Sequence, residues 1–496
     1  MSLIGIDVGS SAIKAAAYRE DGLLLAVARE EVTAQHPHPG EWESDPEEVW
    51  SATQKALSNV AAAPPVRKDP PVALAISASG REVFPVASDG SALGPCIRTG
   101  DTRGAEIAAA TSRRATTDEW LRVCGHVPDR MDPVNRLLWW RKNRPEAMSR
   151  AKYFLGWHEF LTLRLGGRAV TDKSLASKWL AYDLATGRWS SERLAEFGVD
   201  AGLLPEIEPW GAQVAALGPR LATELGLPKD LAICVGGFDT CCAGLGSGAS
   251  NVGIAGLACG SWESVVAPAL KKLSARDLSE SGLSVGPHPG STSLAAFALS
   301  PNGTIVVDWA RGVTNLSIPS FENRLCSSGP KPSPVLAVPH LSGVTSLRAD
   351  AQESQGALFG LTLASSQIDI TKAFMESIAC DLAVTLSSLE RVGIDIELLR
   401  ASGGGASSGW WMQLKADLCD LPIEVVGQPE PEAGTLGAAL LAGISLGTYV
   451  SVEEAVRILV RTTRRYEPNV ERASLYEQRF EAYKAAAKTL LLNQCE

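Results

Sequence analysis

Apolar and polar residues alternate in short blocks at the head of the chain. Residues 3–8, apolar but for Asp7, form a run that breaks into Gly9-Ser10-Ser11. Residues 12–18 form a second run, and residues 23–28 a third, beyond the turn signal Arg19-Glu20-Asp21-Gly22. Runs of this length bounded by turn residues predict the strands of a meander. The period then changes. Val49, Trp50, Thr53, Ala56, Leu57 and Val60 recur at helical spacing, and Pro64-Pro65 follows, so a helix is expected over 46–60. Residues 72–77 and 231–235 read as buried strands. The first runs into Ser79-Gly80-Arg81-Glu82 and the second into Gly236-Gly237-Phe238-Asp239. Residues 120–132 show no clear period and read as a segment that lines a cleft or crosses between elements.

The second half repeats the opening theme. Residues 253–258, the turn Cys259-Gly260-Ser261 and residues 262–266 read as another meander. A strand pair is expected within 290–303, a helix from Thr304 and a loop over 331–339, where three prolines fall. Residues 369–392 predict a long amphipathic helix with Phe374, Ile378, Leu382, Leu386 and Leu389 on one side. A strand at 398–402 then opens into Gly403-Gly404-Gly405-Ala406. A helix at 410–419, a strand at 422–426 and a small-residue helix from Glu432 complete the pattern. Strands alternating with helices define an α/β chain.

At 496 residues the chain is too long for one core, and about two to three domains are expected. Its net charge of −10 and lack of a basic run argue against nucleic acid or an anionic membrane as partner. No basic leader and no apolar stretch of ~20 residues occurs, so neither a secretory signal nor a membrane span is expected. The ten cysteines are scattered and read as thiols of a reducing compartment, which makes the expected location cytoplasmic. The histidines show no metal-ligand spacing. Neither a Walker A sequence nor a G-x-G-x-x-G after a strand is present.

The candidate chemistry sits at the strand ends. Asp239, delivered by a strand and two glycines, is placed for proton transfer, although such an aspartate is more commonly a helix cap. Asp7 could hold a hydrated Mg²⁺. Gly9, Ser10, Ser11 and Lys14 offer backbone, hydroxyl and ammonium groups to a phosphate. Gly404 and Gly405 open a strand-to-helix turn against which a flat ligand or phosphate can lie. Arg81-Glu82 suits adjacent hydroxyls, Arg donating and Glu accepting, and reads equally as a surface ion pair. Asp101-Thr102-Arg103 invites the same two readings.

These segments together resemble the FGGY carbohydrate kinases, with their xylulokinase-like and glycerol kinase-like branches, of the sugar kinase/actin/Hsp70 superfamily. The matching pieces are GIDVGSSAIK from Gly5, WESDPEEVW from Trp42, GDTR from Gly100 and GGFDTCCAGLG from Gly236. DWARG from Asp308, GALFGLT from Gly356, SGGGASSGWWMQLKAD from Ser402 and EAGTLGAALLAG from Glu432 continue the series. The resemblance implies two RNase H-like (actin-like ATPase) domains with a hinged interdomain cleft. Residues 1–245 would bind the sugar and 246–496 the nucleotide. It implies ATP and Mg²⁺, a small sugar or polyol as partner, and Asp239 as the general base with Asp7 near the metal. Ser10, Ser11, Gly260 and Ser261 would form the phosphate turns. Gly404, Gly405 and Ala406 would line the adenosine, with Gln413 on the helix behind. Arg81, Glu82, Asp101 and Asp132 would face the sugar; Asp132, with Met131, falls where glycerol kinase-like members carry an aromatic. Trp262 departs from the family's second phosphate turn by its bulk. A homodimer is the assembly considered. Two other readings are an actin- or Hsp70-like ATPase and a non-catalytic sugar-sensing protein.

Overall fold

The computed structural model describes residues 1–270, 273–290, 294–316, 318–344, 355–427 and 433–492. The opening runs form β1 (Ser2–Val8), β2 (Ala12–Arg19) and β3 (Leu24–Glu31), each antiparallel to the next. The helical period forms α1 (Pro46–Ala62), whose Asp45 cap accepts from the Glu47 N–H. The sheet is completed by β4 (Pro71–Ala78), β5 (Gln213–Ala216) and β6 (Ala232–Phe238), in the order β5-β6-β4-β1-β2-β3. β1, β4 and β6 run parallel, side by side.

The second half builds the same arrangement again. β7 (Gly253–Cys259) and β8 (Glu263–Pro268) form an antiparallel hairpin. β9 (Ser284–Pro287), β10 (Leu294–Ser300), β11 (Ile396–Ser402), β12 (Ile423–Val426) and β13 (Thr462–Tyr466) complete a sheet of order β9-β10-β8-β7-β11-β12-β13. Here β7, β11 and β12 are the parallel strands. In both halves an antiparallel meander leads into parallel strands, the layout expected of an RNase H-like pair.

Large residues of the first sheet face α1: Ile4, Ile6, Ile13, Leu74 and Ile76 pack with Leu57 and Val60. The other face carries small residues, among them Ala16, Ala73 and Ala75, and is covered by Leu436, Ala439 and Leu440. Those three belong to the small-residue helix (Ala433–Ser445), which the chain contributes from its second half. Contact there is close enough that a Cβ on Gly5 would come within 1.8 Å of the Thr435 carbonyl oxygen. Glu432, expected to open this helix, lies outside the described residues.

Three segments differ from expectation. Residues 120–132 are not a featureless crossing. A helix at Thr117–Cys124 begins at Thr116, whose hydroxyl and backbone exchange hydrogen bonds with Glu119, and it ends at Gly125. Its eight residues are too few to display a period. The strand pair expected within 290–303 is the single strand β10, whose partner β9 precedes it; residues 291–293 lie outside the described residues. Residues 331–339 contain a short strand, Leu336–Val338, paired with Ala357–Phe359. Pro334 and Pro339 flank that strand and do not interrupt it.

Candidate active site

The parallel register of β1, β4 and β6 sets Asp7 opposite Ser77, and Ser77 opposite Gly237. Three strand ends therefore reach the same edge of the first sheet. The Ser77 hydroxyl donates to Asp7 Oδ1 at 2.6 Å. Burial raises the Asp7 pKa, opposed by the Ser77 hydrogen bond and by Lys14, which lies across the β1–β2 ladder. The N-terminal turn of the small-residue helix meets this carboxyl group. A Cβ on Gly434 would come within 2.8 Å of the Asp7 carboxyl carbon, so only glycine permits the approach.

Asp239 is the first residue of a helix, Asp239–Gly246, and Phe238 occupies the capping position. Its carboxylate accepts from the Thr240 N–H at 2.6 Å and the Thr240 hydroxyl at 3.0 Å. Burial, followed by the charge of Asp7, pushes the Asp239 pKa up to about 6, against those two hydrogen bonds. Two carboxylates near one another at a strand edge, both raised by burial, give a group that can take up a proton near neutral pH.

Gly9, Ser10 and Ser11 lie exposed in the β1–β2 turn, and the buried Arg98 donates to the Ser10 carbonyl. Gly260-Ser261 forms the corresponding turn between β7 and β8. Its carbonyls accept from the N–H groups of Thr304 (2.9 Å) and Gly303 (3.1 Å). Trp262 is 36% exposed, so its bulk is not absorbed by the core.

The glycine run abuts this second turn. Gly403 has φ +89° and backs onto the Cys259 carbonyl. Gly405 leaves 3.0 Å to both the Cys259 Cβ and the Trp411 ring, and Gly404 faces open space with nothing within 4 Å. Ala406 is instead buried in the second core. Gln413, on the helix Gly409–Cys419, donates from its amide to Asp417 (2.7 Å) and to the Glu467 carbonyl (2.8 Å).

Arg81 and Glu82 do not pair with each other, and neither belongs to a surface ion pair. Arg81 donates to Asp129 at 3.1 Å and to the fully buried Asp132. Asp132 also accepts from the Asp129 N–H at 2.7 Å and lies 3.3 Å from His126 Nε2. Glu82 is buried and accepts from the Thr99 N–H (2.9 Å) and from Trp157 Nε1 (2.6 Å). Both residues lie in the bend between β4 and the strand Val83–Val86, where the two side chains take separate partners. Asp101 is also buried; its oxygens accept from the Trp42 N–H at 2.7 Å and from the Arg103 guanidinium. It thereby ties the Trp42 loop down. Arg98, which meets the Ser10 carbonyl, Asp129, which meets Arg81, and the buried Lys178, 4.2 Å from the centre of the Phe238 ring, were not singled out in the sequence. Only Asp129 left a sequence trace, as one of two acids three apart before Pro133.

Paired meanders with glycine–serine turns, and a carboxylate at a strand edge between them, define an actin-like phosphotransferase fold. The chain belongs to the FGGY family of carbohydrate kinases: the family's N-terminal domain matches residues 2–246 and its C-terminal domain residues 293–446. It is 25% identical over 489 residues to a xylulose kinase of Staphylococcus epidermidis, covering 98% of this chain and 96% of that one. It is 27% identical over 486 residues to a glycerol kinase of Solidesulfovibrio magneticus, covering 94% of each. The crystal structure of a xylulose kinase from Rhodospirillum rubrum superposes with a TM-score of 0.87 at 21% identity, over the full length of both chains. The protein is accordingly an ATP-dependent carbohydrate kinase. Among the described residues no helix is long and apolar enough to cross a membrane. Nor, among them, do three His, Cys, Asp or Glu side chains gather as a metal cage.

Proposed function

We propose that the chain transfers the γ-phosphoryl group of ATP to a hydroxyl of a short acyclic acceptor, a keto-pentose or a glycerol- or tetritol-like polyol. Asp239 acts as the base. The observation that carries this reading is the shared strand edge: Asp7, Ser77 and Asp239 stand together, and burial raises Asp239 to about 6. As the acceptor oxygen bonds to phosphorus, its proton passes to Asp239. The bond between the γ-phosphorus and the bridging oxygen breaks, and ADP leaves with that electron pair. The turns at Ser10-Ser11 and Gly260-Ser261 hold phosphate oxygens, and the open face of Gly404 receives the adenosine. Residues 1–245 hold the acceptor through Arg81, Glu82 and Asp132, while residues 246–496 hold the nucleotide.

Mg²⁺ suits Asp7, a hard oxygen donor whose carboxylate accepts the Ser77 hydroxyl. When bound there the ion would offset phosphate charge.

The test is ADP release, measured with ATP and a panel of polyols, keto-pentoses, keto-hexoses and tetroses. Release that depends on one acceptor class supports the proposal. ATP turnover that ignores every acceptor would favour the sugar-independent ATPase, and acceptor binding without ADP release the sensing protein.

A further inference from the structure

The second glycine–serine turn stands on a buried ion pair that the chemistry above does not use. Cys259 ends β7 and Glu263 opens β8, and the two are partners in the ladder. They are the last pair before Gly260, Ser261 and Trp262, so the turn starts and finishes on them. Lys415, on the helix Gly409–Cys419, reaches both: its ammonium donates to Glu263 Oε2, and to Cys259 Sγ at 3.8 Å. It also lies 4.4 Å from the centre of the Trp411 ring. Lys415 is 0% exposed, and Glu263 and Cys259 are buried with it.

Burial pushes the Cys259 thiol up to about 12, so it stays neutral and Glu263 carries the counter-charge. A buried pair of this kind adds little net stability, because desolvation offsets the attraction. What it does supply is direction, since a charge-assisted bond fixes where the base of the turn stands. The same helix backs the glycine run. Its Trp411 ring and the Cys259 Cβ each lie 3.0 Å from where a Cβ on Gly405 would stand, and Trp411 Nε1 donates to the Met375 carbonyl at 2.9 Å. The Gly303 and Thr304 N–H groups hold the carbonyls of the turn. The turn is thus held from two directions, by backbone donors along its length and by Lys415 at its base.

We propose that Lys415 is a positioning residue for phosphoryl transfer: paired with Glu263, it holds the Gly260-Ser261 turn where the exposed Ser261 meets the ATP phosphates, in register with the Gly404 face that receives the adenosine. This rests on the phosphate-turn reading above and deepens it. Donors of a turn bind an anion only when they converge on it. A turn free to shift at its base therefore loses phosphate oxygens while the adenosine surface stays intact. Lys415 touches neither ligand and acts through Cys259 and Glu263.

The experiment titrates ATP and adenosine by calorimetry, with thermal melts alongside, for wild type and two double variants. Lys415→Met with Glu263→Leu replaces the pair by apolar chains, and Lys415→Gln with Glu263→Gln keeps a neutral hydrogen bond across the same gap. Neither leaves a lone charge under the turn. The apolar double should keep the wild-type melting temperature, as such replacement of a buried pair often does. Its ATP affinity should nevertheless fall ~10–100-fold, the scale of a displaced contact, with adenosine affinity held. The amide double should restore part of the ATP affinity. An apolar double that binds ATP like wild type overturns the proposal by making the pair structural, and so do equal losses for ATP and adenosine. Should the apolar double fail to fold, the amide double carries the same comparison, and failure of both to fold also makes the pair structural. Wild type that binds ATP no tighter than adenosine would instead overturn the phosphate-turn reading itself.

Discussion

Replacing Asp239 by asparagine separates catalysis from stability in one substitution. Asparagine keeps an oxygen able to accept from the Thr240 N–H and hydroxyl, so the local geometry should survive. It cannot take a proton, so turnover should fall ~10²–10⁴-fold, the usual contribution of a positioned base. Stability should move the other way. Burial and the Asp7 charge raise the folded-state pKa of Asp239 to about 6, so folding favours its protonated form. Its contribution is therefore fully present below the ordinary aspartate range and is lost as pH rises through about 6. Above that value the charged group is a penalty. A displacement of this size, at 1.36 kcal/mol per unit, corresponds to about 3 kcal/mol as an upper figure. The ligand-free mutant should therefore be more stable than wild type at pH 8 by up to ~3 kcal/mol, with most of that difference gone by pH 4. For a half of this size each kcal/mol shifts the melting temperature by ~2–4 °C. Paired thermal melts at pH 8 and pH 4, with ADP release on the same samples, provide the assay. A mutant that is no more stable than wild type at pH 8 would refute the buried-carboxylate argument. One that turns over normally would remove Asp239 from the chemistry.

Wild-type kcat/KM for the acceptor should fall as pH drops below about 6, because protonated Asp239 is no longer a base; a flat profile from pH 5 to 8 would contradict this. Arg81→Ala should cost at least ~1.5–3 kcal/mol in acceptor kcat/KM with little change in ATP KM, and unaltered acceptor kinetics would remove it from the site. Glu82→Ala should lower acceptor kcat/KM similarly and also lower the melting temperature, since it strands the Thr99 N–H and Trp157 Nε1 donors. A Cβ at Gly404 would meet nothing within 4 Å, so Gly404→Val should fold normally and raise the ATP KM far more than the acceptor KM; equal effects would place the nucleotide elsewhere. Gly437→Ala would drive a Cβ to within 1.9 Å of the Cys242 carbonyl oxygen and should destabilise by at least ~1–3 kcal/mol in chemical denaturation.

The strands, the long helices and the repeated meander were legible in the chain because they depend on local period and on turn residues. Asp7 and Asp239 were legible for the same reason: each ends an apolar run beside glycine. The helix Thr117–Cys124 was missed although Thr116 and Glu119 spell its capping box, since eight residues show too little period to notice. Partnership was not legible. Arg81 and Glu82 are neighbours in sequence, yet the bend they occupy sends Arg81 to Asp129 and Asp132 and Glu82 to Thr99 and Trp157. Asp101 and Gln413 likewise read as ligand contacts, but are seen to hold protein groups. Lys178 gave no signal at all, because its neighbours Trp179, Leu180 and Ala181 are ordinary core residues. Its position depends on Gly80, Phe238 and Phe297, which lie ~60–120 positions away along the chain. Local sequence determined which segments become strands and helices, through periodicity and turn chemistry acting over a few residues. The folding of distant segments onto one another decided which charges are buried and which groups they meet, because burial and electrostatic partners are set by proximity in space.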